Sequence, residues 1–210
     1  DYLAADEAGL DVPVVGTLTQ YQMLQGILIG SAGNYTDRLA RTIWPTDAVF
    51  ASAASAWLER HNLTGITVVE PTGIDPENTA DPASLITLAR YAMANPVIAE
   101  IVRTPVVTLP GAGEVVNTND LLTDPAVVGI KTGSLSTGYN LLAAREQTVG
   151  VIDPAGAADP PVRGVEGMRV GRPAEHETGP LEPLLELVLA VDADVPAGDV
   201  VVLGAERPVD

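Results

Sequence analysis

The residues best placed to do chemistry lie in the segment Gly129-Ile130-Lys131-Thr132-Gly133-Ser134. A strand that ends in Lys-Thr-Gly places an ammonium group, a hydroxyl and an open stretch of backbone along one edge. Glycine at position 133 leaves room for a second backbone to approach. We expect this edge to bind an anionic group on an extended ligand. The alternative is a strand that ends in a solvated lysine and a turn.

A second candidate lies in a break between two predicted helices, where Ser31 and Asn34 stand close together in the sequence. A serine hydroxyl there could relay a proton, and an asparagine amide could hold a substrate amide. The alternative for Asn34 is a capping role, because it directly precedes the helix predicted to start at Tyr35.

Metal and cofactor chemistry finds little support in the sequence. The two histidines, His61 and His176, are far apart and fit no metal-ligand spacing. We expect His61 in the last turn of a helix, where a cation suits the helix dipole, and His176 in an acidic loop. The chain has no cysteine, which excludes disulfides and thiol nucleophiles. We therefore predict no metal and no organic cofactor.

Acidic residues dominate the charge of the chain, because 28 acidic and 11 basic residues among 210 give a net charge of −17. Nucleic acids and anionic membrane surfaces are bound through basic patches, so we expect neither as a partner. No apolar run reaches the roughly 18 residues of a membrane span. The chain starts at Asp1 without methionine or a signal region, so we expect a processed or truncated product.

Capping signals predict the helices. Thr19 and Gln22 form a capping box, and the helix that they open should end near Gly30. Asp81-Pro82 and Asn95-Pro96 each place a capping side chain before proline at the first helical position. The predicted helices span about 19–30, 35–44, 47–61, 82–94 and 96–103.

Runs of β-branched residues predict strands at about 64–70, 127–132 and 139–144, and a hairpin around Pro110-Gly111-Ala112-Gly113. We predict a core domain over residues 1–150 and an acidic C-terminal part over 151–210 that completes the sheet. The latter should contain a loop at about 153–161, strands at about 162–170 and 199–204, and a helix at about 181–191. Helices followed by mostly antiparallel strands indicate an α+β fold, with a sheet flanked by helices.

Four segments in this order resemble the D-alanyl-D-alanine carboxypeptidases, the low-molecular-weight penicillin-binding proteins that trim peptidoglycan stem peptides. They are Ser31-Ala32-Gly33-Asn34-Tyr35, Glu70-Pro71-Thr72-Gly73-Ile74, Asn117-Thr118-Asn119-Asp120-Leu121-Leu122 and Val128-Gly129-Ile130-Lys131-Thr132-Gly133. The resemblance covers about residues 15–150, and the composition resembles that of actinobacterial proteins. It implies a β-lactamase/penicillin-binding-protein-like fold with a helical subdomain and a secreted or cell-envelope, extracytoplasmic location.

The family uses a Ser-x-x-Lys, a Ser-x-Asn and a Lys-Thr-Gly element. By this resemblance, Lys131 and Thr132 would bind the carboxylate of the terminal D-alanine or of a β-lactam, beside Gly133. The backbone N–H of Ser134 would supply half of an oxyanion hole. Ser31, with Asn34 or its neighbour, would occupy the Ser-x-Asn place as a catalytic element. Either Gly33 replaces the asparagine or one residue is inserted.

The Ser-x-x-Lys element is not in this sequence. Lys131 is the single lysine, and the serine would have to stand at position 128, which is Val128. We therefore expect this chain to be inactive on its own. In the family the element lies on a central buried helix. We expect either a fragment of a longer polypeptide or a core filled differently, chiefly around the helix at 20–30 and the strand at 127–132.

Three interpretations follow. The leading one is a serine D-Ala-D-Ala carboxypeptidase that acts through an acyl-enzyme but is present here without its nucleophile. Its partner would be a peptidoglycan stem peptide ending in D-Ala-D-Ala. With the nucleophile restored, it would also bind β-lactam antibiotics. The second is a non-catalytic relative that binds stem peptides or an envelope protein. The third, less favoured, is a β-lactamase-like hydrolase.

Overall fold

The computed structural model describes residues 8–13, 17–135, 138–145, 148–152, 179–180 and 200–202. Its helices are α1 (Gln20–Gly30), α2 (Gly33–Ile43), α3 (Asp47–Arg60), α4 (Pro82–Ala94) and α5 (Pro96–Val102), with a short 3₁₀ helix at Asp120–Thr123. Its strands are β1 (Thr17–Thr19), β2 (Ile66–Thr67), β3 (Thr79–Ala80), β4 (Val106–Leu109), β5 (Gly113–Val116), β6 (Val127–Leu135), β7 (Gly138–Arg145), β8 (Thr148–Ile152), β9 (Gly179–Pro180) and β10 (Val200–Val202). The α+β prediction is confirmed.

Capping side chains start most of the helices at the predicted residues. Thr19 forms the capping box that begins α1, Thr46 caps α3, Asp81 caps α4 and Asn95 caps α5. The exception is α2, which begins at Gly33 rather than Tyr35 and has no side-chain cap. The local rules therefore predict a helix start well wherever a side chain satisfies the first backbone N–H groups.

The described strand pairs are antiparallel, and β6-β7-β8 form one sheet with β6 at an edge. Strand β6 is longer than predicted. The predicted strand ends at Thr132, but pairing continues to Leu135 opposite Gly138. Thus the whole Lys-Thr-Gly segment and Ser134 lie along an edge strand. The predicted hairpin around Gly111 is confirmed as β4 and β5.

The strand predicted at 64–70 is wrong over most of its length, because β2 comprises only Ile66 and Thr67. Beyond it the backbone N–H of Val69 donates to the side chain of Asn78 instead of a neighbouring strand (2.8 Å). A side-chain amide therefore ends the pairing, which strand propensity alone does not reveal.

Helix α1 lies in the core and packs against α2, α5 and the β4–β5 hairpin. Its apolar side chains, including Leu28 and Ile29, are buried, and on β6 Ile130 is fully buried. These side chains lie on the helix and the strand around which we expected either a fragment of a longer polypeptide or a differently filled core, and all of them are buried.

Several predicted elements lie outside the described residues: the loop at 153–161, the strand at 162–170 and the helix at 181–191. The terminal strand is described in part as β10, which pairs with β1. The division into a core and an acidic C-terminal part remains a prediction. In the described part of the chain no single helix is long and apolar enough to cross a membrane. Helices α4 and α5 have the necessary length and apolar composition only when taken together, and the chain bends by 104° between them.

Candidate active site

Lys131 and Ser31 form the centre of the candidate site. The ammonium of Lys131 donates hydrogen bonds to the hydroxyl of Ser31 and to the backbone carbonyl of Thr132, the latter at 2.7 Å. Lys131 is only 2% exposed, whereas Ser31 is half-buried. The structure therefore joins two of the predicted motifs and places a positive charge behind a hydroxyl that solvent can reach.

Ser31 occupies an unusual backbone position at the end of α1. It is the C-cap residue with φ 54° and ψ 41°, and its N–H donates to the carbonyl of Gly26. Glycine normally takes this left-handed conformation because a Cβ is disfavoured there. The tight turn between α1 and α2 therefore aims a serine at Lys131 at a backbone cost that glycine would avoid.

Thr132 and Thr118 extend this cluster. Thr132 is 5% exposed, and its hydroxyl bonds to that of Thr118 at 2.7 Å. The backbone N–H of Thr118 in turn donates to the carbonyl of Ile29 near the end of α1 (3.0 Å). Thr118 thus connects the Ser31 end of α1 with β6. Thr132, Gly133 and Ser134 follow Lys131 along the strand, and Ser134 is exposed.

Asn34 lies elsewhere, and the structure contradicts both of its predicted placements. Its amide Nδ2 donates to the carbonyl of Leu10 (2.8 Å), and its Oδ1 accepts from the N–H of Leu10 (3.1 Å). It neither joins the Lys131 cluster nor caps α2, which starts one residue before it. An asparagine amide mimics a peptide group, so Asn34 holds an extended segment as a neighbouring strand would.

Gly33 stands at the third position of the Ser-x-Asn place. It is buried at the start of α2, and its N–H donates to the carbonyl of Ala8 (2.8 Å). Because both ends of the Asn34 amide are engaged with Leu10, this turn offers Ser31 no side-chain amide. The structure favours replacement of the asparagine by Gly33 over an insertion.

The segment that Asn34 holds, residues 8–13, is here called the N-terminal strap. Tyr35 donates its hydroxyl to the carbonyl of Asp11 (2.7 Å). Burial and the nearby Asp11 carboxylate both raise the pKa of Tyr35, so its phenol stays a donor. At Gly111 (φ +86°) a Cβ would lie 2.4 Å from the backbone of Pro13. Glycine there allows the strap to pass over the β4–β5 turn.

The Glu70-Pro71-Thr72-Gly73-Ile74 segment folds into a loop around its own carboxylate. Glu70 accepts from the N–H and hydroxyl of Thr72, from the N–H of Asp75 (3.1 Å) and from the amide of Asn78 (2.6 Å). Both carboxylate oxygens therefore have partners inside the loop. This pattern indicates a structural role for Glu70.

No family model matches the sequence. D-alanyl-D-alanine carboxypeptidase DacB2 of Mycobacterium tuberculosis is 31% identical over 141 residues, which is 63% of this chain and 45% of that protein. The crystal structure of a D-alanyl-D-alanine carboxypeptidase from the same organism matches with a TM-score of 0.50 at 28% identity, over 59% of this chain and 50% of that one. Over part of their length, this chain is similar to D-alanyl-D-alanine carboxypeptidases.

Among other structures, penicillin-binding protein D2 of Listeria monocytogenes in its ampicillin-bound form matches with a TM-score of 0.54 at 21% identity, over 68% of this chain and 65% of that one. This likeness confirms the β-lactamase/penicillin-binding-protein-like fold. The chain spans about half the length of the carboxypeptidase relatives.

Thr118 belongs to the site although the sequence alone predicts no role for it. It is the exposed residue between two buried asparagines, Asn117 and Asn119. The Asn-Thr-Asn alternation is the sequence pattern that could have indicated this role, because buried amides fix a backbone and the residue between them faces outward.

Of the two histidines, only His61 lies in the described part of the chain. His61 ends α3, as expected, and stacks on Trp57 with ring centroids 3.9 Å apart. His176 lies outside the described residues. The described segments contain no group of three or more His, Cys, Asp or Glu that could hold a metal ion.

Proposed function

We propose that this chain supplies the carboxylate-binding edge of a serine-type D-Ala-D-Ala carboxypeptidase that trims peptidoglycan stem peptides. The observation that carries the proposal is the contact between the Lys131 ammonium and the Ser31 hydroxyl. It unites a Lys-Thr-Gly strand with the serine of a second motif, in a chain related to such enzymes. A peptide that ends in a free carboxylate carries the complementary charge.

The edge position of β6 supports an extended ligand. In the described sheet β6 pairs only with β7, so its other edge can accept a peptide as an added strand. Gly133 keeps that edge open to a second backbone. The buried Lys131 would then attract the ligand carboxylate through the hydroxyls in front of it, where the reduced dielectric strengthens the attraction.

Acyl transfer requires a nucleophile beyond these residues. Ser-x-x-Lys is not in this sequence, since Val128 stands where the serine would be needed. We infer that the 210-residue chain binds such peptides without hydrolysing them, and this same observation favours the alternative of a non-catalytic binding relative. Because peptidoglycan lies outside the cytoplasmic membrane, the proposal places the protein in an extracytoplasmic location.

The first test compares two peptides that differ only at the C-terminus, one ending in D-Ala-D-Ala and the other in its amide. Calorimetric titration of the whole chain should show tighter binding of the acid, by about tenfold or more for a charge-assisted hydrogen bond. Lys131→Met should abolish this preference for the acid. Thermal melting should show that the Lys131→Met variant is folded. Equal affinity of the parent for both peptides would refute the carboxylate role.

The second test separates binding from catalysis. A fluorescent penicillin should leave no covalent label on the 210-residue chain after denaturing electrophoresis. A labelled band would show that an acylating serine exists in this chain and would overturn the inference that it only binds.

A further inference from the structure

Thr118 is the part of the cluster that the proposed function does not use. Its backbone is fixed by its neighbours: the Asn117 amide donates to the carbonyl of Thr104 (2.9 Å) and accepts from the N–H of Asn119 (2.9 Å). Asn117 and Asn119 are 6% and 2% exposed, whereas Thr118 is exposed. The side chain of Thr118 is therefore held at the surface by buried amides rather than by its own hydroxyl.

The hydroxyl pair of Thr118 and Thr132 has one proton to spare. Each threonine hydroxyl carries one proton and can accept two, so a bond within the pair consumes one proton and leaves the other available. Thr132 is buried and Thr118 is exposed, with 2.7 Å between their oxygens. A ligand that approaches from solvent therefore meets the pair with Thr118 at its outer end.

We propose that Thr118 is a specificity-determining residue for C-terminal carboxylates. Resting on the proposed function, this inference assigns the spare proton of the Thr118–Thr132 pair to one carboxylate oxygen, while Lys131 supplies the charge. A C-terminal amide presents only one oxygen and adds two protons, so it loses part of this recognition. The site then recognises a free carboxylate by the position of its two oxygens as well as by its charge.

A purely structural role for the pair is less consistent with its position. The Thr118 hydroxyl lies at the exposed end of the pair, where water competes for it as a partner, so it contributes little to folding. The backbone of Thr118 is already held by its N–H bond to Ile29 and by Asn117. Removing the hydroxyl should therefore alter recognition more than stability.

The experiment uses Thr118→Val, which keeps the shape of the side chain without the hydroxyl, and Thr118→Ser, which keeps the hydroxyl. Affinities for the D-Ala-D-Ala acid and its amide are measured by titration, and melting temperatures are recorded for each variant. Thr118→Val should lower the acid-to-amide preference by about fivefold or more, and Thr118→Ser should keep it within about twofold.

The two proposals fail in different ways. If the parent prefers the acid and Thr118→Val keeps that preference in full, the role of Thr118 is overturned and the proposed function stands. If the parent shows no preference for the acid, both fall. A melting temperature of Thr118→Val close to that of the parent, with a reduced preference, supports recognition rather than folding.

Discussion

Lys131 on β6 donates a hydrogen bond to Ser31 at the end of α1, although the two residues stand 100 positions apart in the sequence. The contact requires β6 and the end of α1 to meet, and Thr118 bonds to both through its backbone and its hydroxyl. Substitutions of these side chains can therefore be assessed by two measurements, ligand affinity for the cluster and unfolding free energy for the fold. The predictions for Ser31 and Asn34 separate a recognition effect from a stability effect, and those for Glu70 and Asp81 concern stability alone.

Replacing Ser31 should separate the hydroxyl from the backbone geometry. Ser31→Gly removes one hydrogen-bond partner of Lys131 but suits the left-handed turn (φ 54°), so the relief of backbone strain should offset part of the stability lost with that bond. Ser31→Ala should be less stable than Ser31→Gly by about 1 kcal/mol. Urea unfolding measures the difference. Both variants should lose acid preference, and a fully selective Ser31→Gly would show that the hydroxyl is not needed.

Asn34→Ala should affect folding but not recognition. The variant loses both hydrogen bonds to Leu10 and leaves that backbone unpaired, at a cost of about 1–3 kcal/mol in the free energy of unfolding. The ratio of acid to amide affinity should stay that of the parent. A variant with unchanged stability and a lost acid preference would restore the direct role first predicted for Asn34.

Glu70→Gln should destabilise the loop that surrounds this carboxylate. The glutamine keeps one oxygen and replaces the other with an NH₂ donor. Because N–H and hydroxyl donors face both oxygens of Glu70, this new donor would face another donor. We expect a loss of about 1–3 kcal/mol in unfolding free energy. Glu77→Gln, at an exposed position of the same loop, is the matched control and should stay within about 0.5 kcal/mol. Equal effects would argue against the carboxylate as the centre of the loop.

The lowered pKa of Asp81 predicts a specific dependence of stability on pH. Partial burial would raise the pKa of Asp81, but hydrogen bonds from Ser84 and from the backbone of Ala83 outweigh it and lower the pKa below the ordinary 3.8. The ionised cap therefore stabilises the fold above that value, and this contribution is lost as the pH falls through the lower, folded-state pKa. Asp81→Asn removes the titration.

Melting curves of the parent and of Asp81→Asn between about pH 7 and pH 2 test this prediction. The advantage of the parent should be greatest near neutrality and shrink in acid, whereas a constant difference would contradict it. Gly65→Ala gives an independent check, because a Cβ there would lie 1.4 Å from the Asp81 carboxylate and displace the cap. It should cost about 1–3 kcal/mol in unfolding free energy.

The parts of the fold that were predictable depend on neighbours in the sequence. The Thr19 capping box and the Asp81-Pro82 and Asn95-Pro96 starts satisfy backbone groups within three residues, so the sequence alone reveals them. Likewise Lys131 and Thr132 belong to one continuous strand, which the local pattern predicts, although that pattern does not reveal that both side chains are buried.

The parts that were missed depend on distant partners. Asn34 bonds to Leu10, 24 residues away, and no local rule distinguishes that partner from a cap. Thr118 bonds to Thr132, 14 residues away, across a 3₁₀ turn whose path propensity does not give. Side chains that replace backbone pairing, as at Asn78, defeat strand prediction for the same reason.

The left-handed turn at Ser31 has an electrostatic consequence for Lys131. Ser31 caps the carboxyl end of α1, so the ammonium that touches it lies at the negative end of that helix's dipole. The helix thus compensates part of the lysine charge before any ligand arrives. An anion that binds there meets a cation whose charge is already partly compensated. Among ligands of equal charge, shape and hydroxyl alignment should therefore decide which anions the site retains.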